Sequence, residues 1–238
     1  MRPEVQFWDK ILPDQPEHAH LYRGHAFMRD LFETVCRSSG IRDPHDEFRL
    51  EQSDMFTVEE MASNPIAMRF LQFLIHVAGV RRVLEIGAFV GLSTMSFAKA
   101  LPADGKVVSI EKFDKFAAIA RRNFELNGLS SKIDLFQGDA FELIDRLPRD
   151  QPFDLIFIDG NKERYKDYLI KTEPLLGKCG IMIVDDCFYH GDVLNAQPSD
   201  AKGVGTKACM DYLAGSSDWL RIALPLSNGL FMMTRRGN

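Results

Sequence analysis

Phe153-Asp154-Leu155-Ile156-Phe157-Ile158 and Gly180-Ile181-Met182-Ile183-Val184 are two short, almost unbroken apolar runs, and each stops on acid: Asp159 after the first, Asp185 and Asp186 after the second. Such runs predict strands buried on both faces, as in a parallel sheet. Lys162 to Leu176, between them, has helical composition, so the unit reads as strand, crossover helix, strand. Both strands then end at the same edge of one sheet. Three carboxylates gather there, at the edge where open α/β sheets bind ligands. Crowded acids repel one another unless a cation sits among them, so a divalent metal is the first expectation for Asp159, Asp185 and Asp186.

Upstream of this unit the same alternation runs back through the chain. A helix over 65–77, with Asn64 as N-cap and Pro65 at its first position, leads into a strand at Arg82–Ile86. Helix Leu92–Leu101, strand Lys106–Ile110, helix Phe113–Asn127, strand Lys132–Phe136 and helix Phe141–Leu147 follow. Regular βα alternation predicts an α/β fold with a doubly wound, mostly parallel sheet. After Asp186 a polar loop over 191–205 and a helix over 206–213 precede two closing strands near Leu220–Leu224 and Leu230–Thr234. Their Asn228-Gly229 connection predicts a C-terminal antiparallel hairpin. Residues 1–60 differ, with clustered prolines, His18, His20 and His25, and an apolar helical face over Ala19–Ser38; they read as an N-terminal helical cap or lid. The three histidines read as surface or lid packing rather than a metal site. The expected division is 1–60 cap and 61–238 catalytic domain.

Composition narrows the partners. The 238 residues are 45% hydrophobic and 26% charged, with a net charge of -5, which gives no general attraction to nucleic acid or anionic membrane. Cys36, Cys179, Cys187 and Cys209 form no C-x-x-C pair, and no apolar run is long enough to span a bilayer. A cytoplasmic protein with reduced thiols is expected.

Glu85-Ile86-Gly87-Ala88-Phe89-Val90-Gly91 occupies the first strand-to-helix turn. A dinucleotide fingerprint needs glycine where Phe89 and Leu92 stand, so a nucleoside without pyrophosphate is the better match. Glu85 would attract a cationic group, Glu111 is placed to accept from ribose hydroxyls, and Asp139 in Gly138-Asp139-Ala140 to accept from an adenine amino group. Each residue alone is also an ordinary turn glycine or strand-end acid. Together, at successive strand ends, they describe S-adenosylmethionine (SAM).

These residues resemble the cation-dependent class I O-methyltransferases that include catechol and caffeoyl-CoA O-methyltransferases. The likeness lies in Val83-Leu84-Glu85-Ile86-Gly87, Gly91-Leu92-Ser93, Phe157-Ile158-Asp159 with Lys162 and Tyr165, and Val184-Asp185-Asp186. It implies a Rossmann-like fold and metal ligation by Asp159, Asp185 and Asp186, with Mg²⁺ first and Mn²⁺ or Ca²⁺ as alternatives. It places SAM against Met61, Ser63, Glu85, Gly87, Ala88, Ser93, Glu111 and Ala140, with Asp159 nearby, and matches Lys162 to the catalytic base. By spacing alone Lys162 is more commonly a solvated lysine at a helix start, and the resemblance reverses that reading. The implied reaction is methyl transfer to a catechol-like small molecule, by a homodimer. A tRNA hydroxylated-base methyltransferase and a non-catalytic SAM-binding subunit are the alternatives. One departure stands out: the family usually carries asparagine where this chain has Asp186. The added carboxylate should tighten cation binding and weaken the cation's power to acidify a hydroxyl.

Overall fold

The computed structural model describes residues 25–61, 63–226 and 228–236. Two compact units divide at Arg42 and Asp43. The first contributes helix α1 (His25–Ser38); the expectations for His18 and His20 fall outside the described residues. The second unit begins well before residue 61, and Phe48 and Val58 are buried in its core. It opens with two single-turn helices, α2 (Pro44–Glu47) and α3 (Val58–Met61), followed by α4 (Pro65–Val77). Asn64 caps α4 as expected, its side chain accepting from the Ile66 N–H at 2.9 Å, and Pro65 fills the first turn.

A seven-stranded sheet follows, formed by β1 (Arg82–Ile86), β2 (Lys106–Glu111), β3 (Ile133–Gln137), β4 (Phe153–Ile158), β5 (Leu176–Asp185), β6 (Trp219–Leu224) and β7 (Leu230–Arg235), in the order β3-β2-β1-β4-β5-β7-β6. Strands β1 to β5 pair in parallel, while β7 runs antiparallel to β5 and to β6. The apolar runs lie centrally and fill both faces by period-two alternation. Val83, Leu155, Phe157 and Ile183 pack on one side with Leu71, Ile75 and Phe97. Leu84, Ile86, Ile156, Ile158, Met182 and Val184 pack on the other with Tyr165, Leu169 and Leu213. Each fully buried side chain of this size contributes about 1.5–3 kcal/mol.

Helices α5 (Leu92–Ala100), α6 (Asp114–Leu126), α7 (Ala140–Leu143), α8 (Tyr165–Thr172) and α9 (Ala201–Gly215) connect or cover these strands. Three boundaries differ from expectation for local reasons. Asn161 caps a 3-10 turn over Lys162–Arg164 before α8 starts, and a second 3-10 turn containing Pro174 closes it, so the crossover is segmented. Strand β5 starts at Leu176 rather than Gly180, across an irregular register opposite Phe153 and Leu155. Helix α9 starts at Ala201, inside the expected loop, because Asp200 accepts from the Gly203 N–H at 2.8 Å. No helix among the described residues is long and apolar enough to cross a membrane.

Polar clamps hold the first residues of the larger unit against α6. Fully buried Asn123 accepts from the Glu51 N–H at 2.7 Å and donates to the Glu51 and Val90 carbonyls at 3.0 and 2.9 Å. Asn127 accepts from the Arg49 N–H and donates to the Arg49 carbonyl.

Candidate functional site

A cavity of about 590 Å³ lies outside the carboxyl ends of the parallel strands, the position open α/β sheets offer to a ligand. Its floor begins at Gly87. The backbone there has φ +100°, and a Cβ would stand 2.1 Å from the Asp159 carbonyl oxygen. Glycine lets β1 and β4 leave the sheet in contact, so the glycine loop and the acidic rim share one cavity. Of the residues expected to meet SAM, Met61, Ser63, Gly87, Ala88, Ser93, Glu111, Ala140 and Asp159 line it.

Glu85 and Asp139 do not line the cavity. Glu85 is fully buried beneath it and accepts from the hydroxyls of Ser93, at 2.6 Å, Thr94 and Ser109. Burial raises its pKa, against the opposing pull of those hydroxyls. Asp139 caps α7 by accepting from the Phe141 N–H at 2.9 Å and pairs with Lys112 at 3.3 Å. The cavity wall at that end holds Glu111, which accepts from the Phe89 and Phe113 N–H groups, both at 2.8 Å. Phe89, Phe113 and Phe116 line the cavity beside it and pack edge to face. Sequence reading missed this aromatic wall; Phe89 stood out only as a residue unsuited to pyrophosphate.

At the other end Lys162 governs the rim. Its Nζ lies 3.0 Å from Asp186 Oδ2 and 3.6 Å from Asp159 Oδ1, with 16% of the side chain exposed. Burial lowers the ammonium's pKa, but Asp159 and Asp186 outweigh that and raise it. Asp159 is raised well above the carboxylate range, by burial first, with Asp185 and Asp186 adding to the rise and Lys162 opposing it. Asp185 is buried and does not line the cavity; its Oδ2 accepts from Ser63 at 2.6 Å and its Oδ1 from the Asp186 N–H at 2.9 Å. The Ser63 tie, joining the segment before α4 to the end of β5, had no signal in the sequence beyond a serine near a helix cap.

The three acids fit a hard cation in donor chemistry: all are oxygen ligands, Asp159 and Asp185 are desolvated, and the Lys162 ammonium faces Asp159 and Asp186. They are not arranged as a ready cage. Among the described residues no three His, Cys, Asp or Glu side chains form a group that could hold a metal ion. Each acid has an oxygen engaged by a side chain, Asp185 Oδ2 by Ser63 and Asp159 Oδ1 and Asp186 Oδ2 by Lys162.

Beyond Asp186 the chain turns through unusual backbone. Asp186, Tyr189 and His190 have φ of 53°, 40° and 53°, a region that costs a side-chain-bearing residue energy and clusters at functional sites. Tyr189 and His190 line the cavity; Phe188, just before them in the chain, does not, and packs against the core under the β6–β7 turn. Tyr165 is fully buried packing, its hydroxyl 3.4 Å from Asp159 Oδ1, and Tyr168 lines the cavity. Cys187 and Cys209 are buried thiols, pushed up to about 12 by that burial.

Comparison with known proteins was consistent with this geometry. A family model described as O-methyltransferase matches residues 45–236. A catechol O-methyltransferase of Mycobacterium tuberculosis is 30% identical over 171 residues, covering 72% of this chain and 77% of that protein. Another from Niastella koreensis is 30% identical over 146 residues, 60% of this chain; the match spans 66% of its length, just under two thirds. Among solved structures, the O-methyltransferase TomG from Streptomyces achromogenes, in complex with SAM, superposes with a TM-score of 0.69 at 29% identity. That superposition covers 75% of this chain and 83% of TomG.

Proposed function

The chain belongs to the SAM-dependent class I O-methyltransferase family, and from that premise we propose that it transfers the methyl group of SAM to a hydroxyl of a catechol-like small molecule. The observation that carries the proposal is Lys162, a lysine held by acids at the rim of the cavity that also contains the glycine loop and Glu111. A cavity of this size suits small molecules, which favours such an acceptor over a tRNA base.

The division of labour follows the sheet order. Gly87, Ala88 and Ser93 follow β1, Glu111 ends β2 and Ala140 follows β3, so the cofactor would lie across that half. Asp159 and Asp186 immediately follow the next two strands, so the acceptor would lie there, within reach of the methyl group. Methyl transfer from sulfonium to phenolate is an in-line displacement, and alignment of the two partners supplies much of the catalysis. In the present arrangement Lys162 carries its proton, because Asp159 and Asp186 hold it. The acceptor hydroxyl gives its proton to solvent water, and the Lys162 ammonium donates a hydrogen bond to the resulting phenolate oxygen and stabilises it. A divalent cation, Mg²⁺ before Mn²⁺ or Ca²⁺, belongs to the proposal, held by Asp159, Asp185 and Asp186, and would supply acidification of the acceptor hydroxyl. A homodimer belongs to it as well; Leu31 and Phe32 on α1 are exposed apolar groups that support this.

The test is SAM-dependent methylation of catechol by the full chain with and without EDTA, alongside the Lys162→Met variant. The proposal expects turnover that falls on chelation and falls by about 10²–10⁴-fold in the variant. Turnover indifferent to EDTA would remove the cation from the reading, and turnover indifferent to the variant would remove Lys162.

A further inference from the structure

The charged side chains lining the cavity are, with two exceptions, already matched. Glu60 accepts from the Thr57 N–H and hydroxyl. Glu111 accepts from two backbone N–H groups, and Lys112 pairs with Asp139. Asp159 and Asp186 share Lys162. Lys202 and His190 also line the cavity, both exposed; neither forms a side-chain ion pair among the described residues, and the carboxylate that feels the charge of Lys202 is Asp200. Asp200 interacts with the Lys202 ammonium only through its charge, because its oxygens are spent on other donors: one caps α9 through the Gly203 N–H and the other accepts from Tyr189 at 2.9 Å.

Both unmatched bases belong to the acceptor end. His190 follows β5, two strands from β1 in the sheet order, which is roughly 10 Å at the usual strand spacing. Lys202 is in the first turn of α9. That helix lies directly on the turn carrying Lys162, since a Cβ on Gly205 would stand 2.5 Å from the Lys162 carbonyl oxygen and from the Glu163 Cα. The Tyr189–Asp200 hydrogen bond ties the strained turn to the start of the same helix. Two basic groups on elements braced against each other thus face a cavity whose carboxylates are all occupied.

Resting on the acceptor site proposed above, we infer that the acceptor carries a carboxylate substituent, recognised by Lys202 and His190 at the mouth of the cavity. Neutral or cationic catechols lack the group that would match these bases. An exposed ion pair with a hydrogen bond is worth about fivefold in affinity, and that sets the expected preference.

Protocatechuate, its neutral carboxamide and dopamine serve as probes. Their affinities are measured by calorimetry on the full chain loaded with S-adenosylhomocysteine, and their kcat/KM values in methylation assays. Protocatechuate should bind about fivefold more tightly than the carboxamide. The ratio should approach one in the Lys202→Gln/His190→Gln double variant, and Lys202→Glu should shift the preference toward dopamine. Because both side chains are exposed, folding of the variants is not at stake, and their melting curves check this. Equal binding of protocatechuate and the carboxamide, or a preference that survives Lys202→Glu, overturns the inference while leaving methyl transfer to catechols standing. A carboxylate preference in binding without methylation of any probe upholds the inference and overturns the proposed reaction. Binding of none of the three overturns both.

Discussion

Gly87→Ala tests whether the cavity floor is built as described. At φ +100° an alanine costs about 1–2 kcal/mol from its backbone alone. Its Cβ would also stand 2.1 Å from the Asp159 carbonyl oxygen and 2.8 Å from the carbonyl carbon, so main chain must move. The bonds that yield first are Gly87 N–H to Ile110 O and Asp159 N–H to Ile86 O, both 2.9 Å, each worth about 1 kcal/mol. Together these make a loss of about 3–4 kcal/mol, which for a unit of this size lowers Tm by roughly 10 °C. Gly79→Ala is the internal control. It has φ +64° and nothing within 4 Å of a Cβ, so it incurs the backbone cost alone, about 1–2 kcal/mol. Any gain from a stiffer unfolded chain is common to both variants. Differential scanning calorimetry of the two compares them directly, and titration with S-adenosylhomocysteine should show weaker binding only for Gly87→Ala. Equal losses in Tm would refute the reasoning, because they would mean that β1 and β4 do not leave the sheet in contact.

The buried carboxylate of Glu85 gives a prediction with a definite sign. Its folded pKa is raised by burial, so its contribution to stability is fully present below the unfolded value of about 4.3 and is lost as pH rises through the folded value. Glu85→Gln should therefore melt above the wild type at pH 7, with the gap closing toward pH 4; a gap that widens on acidification would contradict the assignment. Asn123→Ala should cost about 2–3 kcal/mol by leaving the buried Val90 carbonyl and the Glu51 pair without partners. A urea midpoint unchanged within error would show that the clamp is dispensable. Asp186→Asn should fold and keep methylating, since asparagine tolerates φ 53°, with weaker cation affinity by calorimetry and an altered kcat; complete inactivity would mean that its carboxylate does more than pair with Lys162.

What could be read from the sequence was whatever depends on local pattern. Near-continuous apolar runs specify strands buried on both faces, so β1, β2, β4 and the core of β5 were legible, as was the Asn64-Pro65 helix start. The Asn228-Gly229 step announced the antiparallel hairpin. Features that depend on which side chain finds which partner were not legible. Nothing local marks Asn123 as a clamp for Glu51, seventy-two positions away, or Ser63 as the partner of Asp185. Glu85 illustrates the limit most clearly. Its place before the glycine loop predicted a carboxylate facing a cationic ligand, but residue parity on β1 turns it into the sheet face carrying Ser93 and Thr94, beneath the cavity.

The acidic rim also changes meaning once Lys162 is placed. Three carboxylates in a row suggested a vacant ligand set for a cation and, beside it, a lysine available as base. The geometry makes these two roles exclusive in one state. While Asp159 and Asp186 face Lys162 at 3.6 and 3.0 Å, their charge keeps the ammonium protonated, and a protonated amine donates to a phenolate but takes no proton from a phenol. A cation held by these carboxylates would screen that charge from the lysine, and the desolvation that lowers its pKa would then be less opposed. On the proposed reading, cation binding and availability of the base would be linked through the same two acids. The charge of Asp186 strengthens the hold on the proton. Removing it should bring the apparent pKa of the kcat profile down, whereas removing Ser63, which touches only Asp185 among the three, should leave that profile in place.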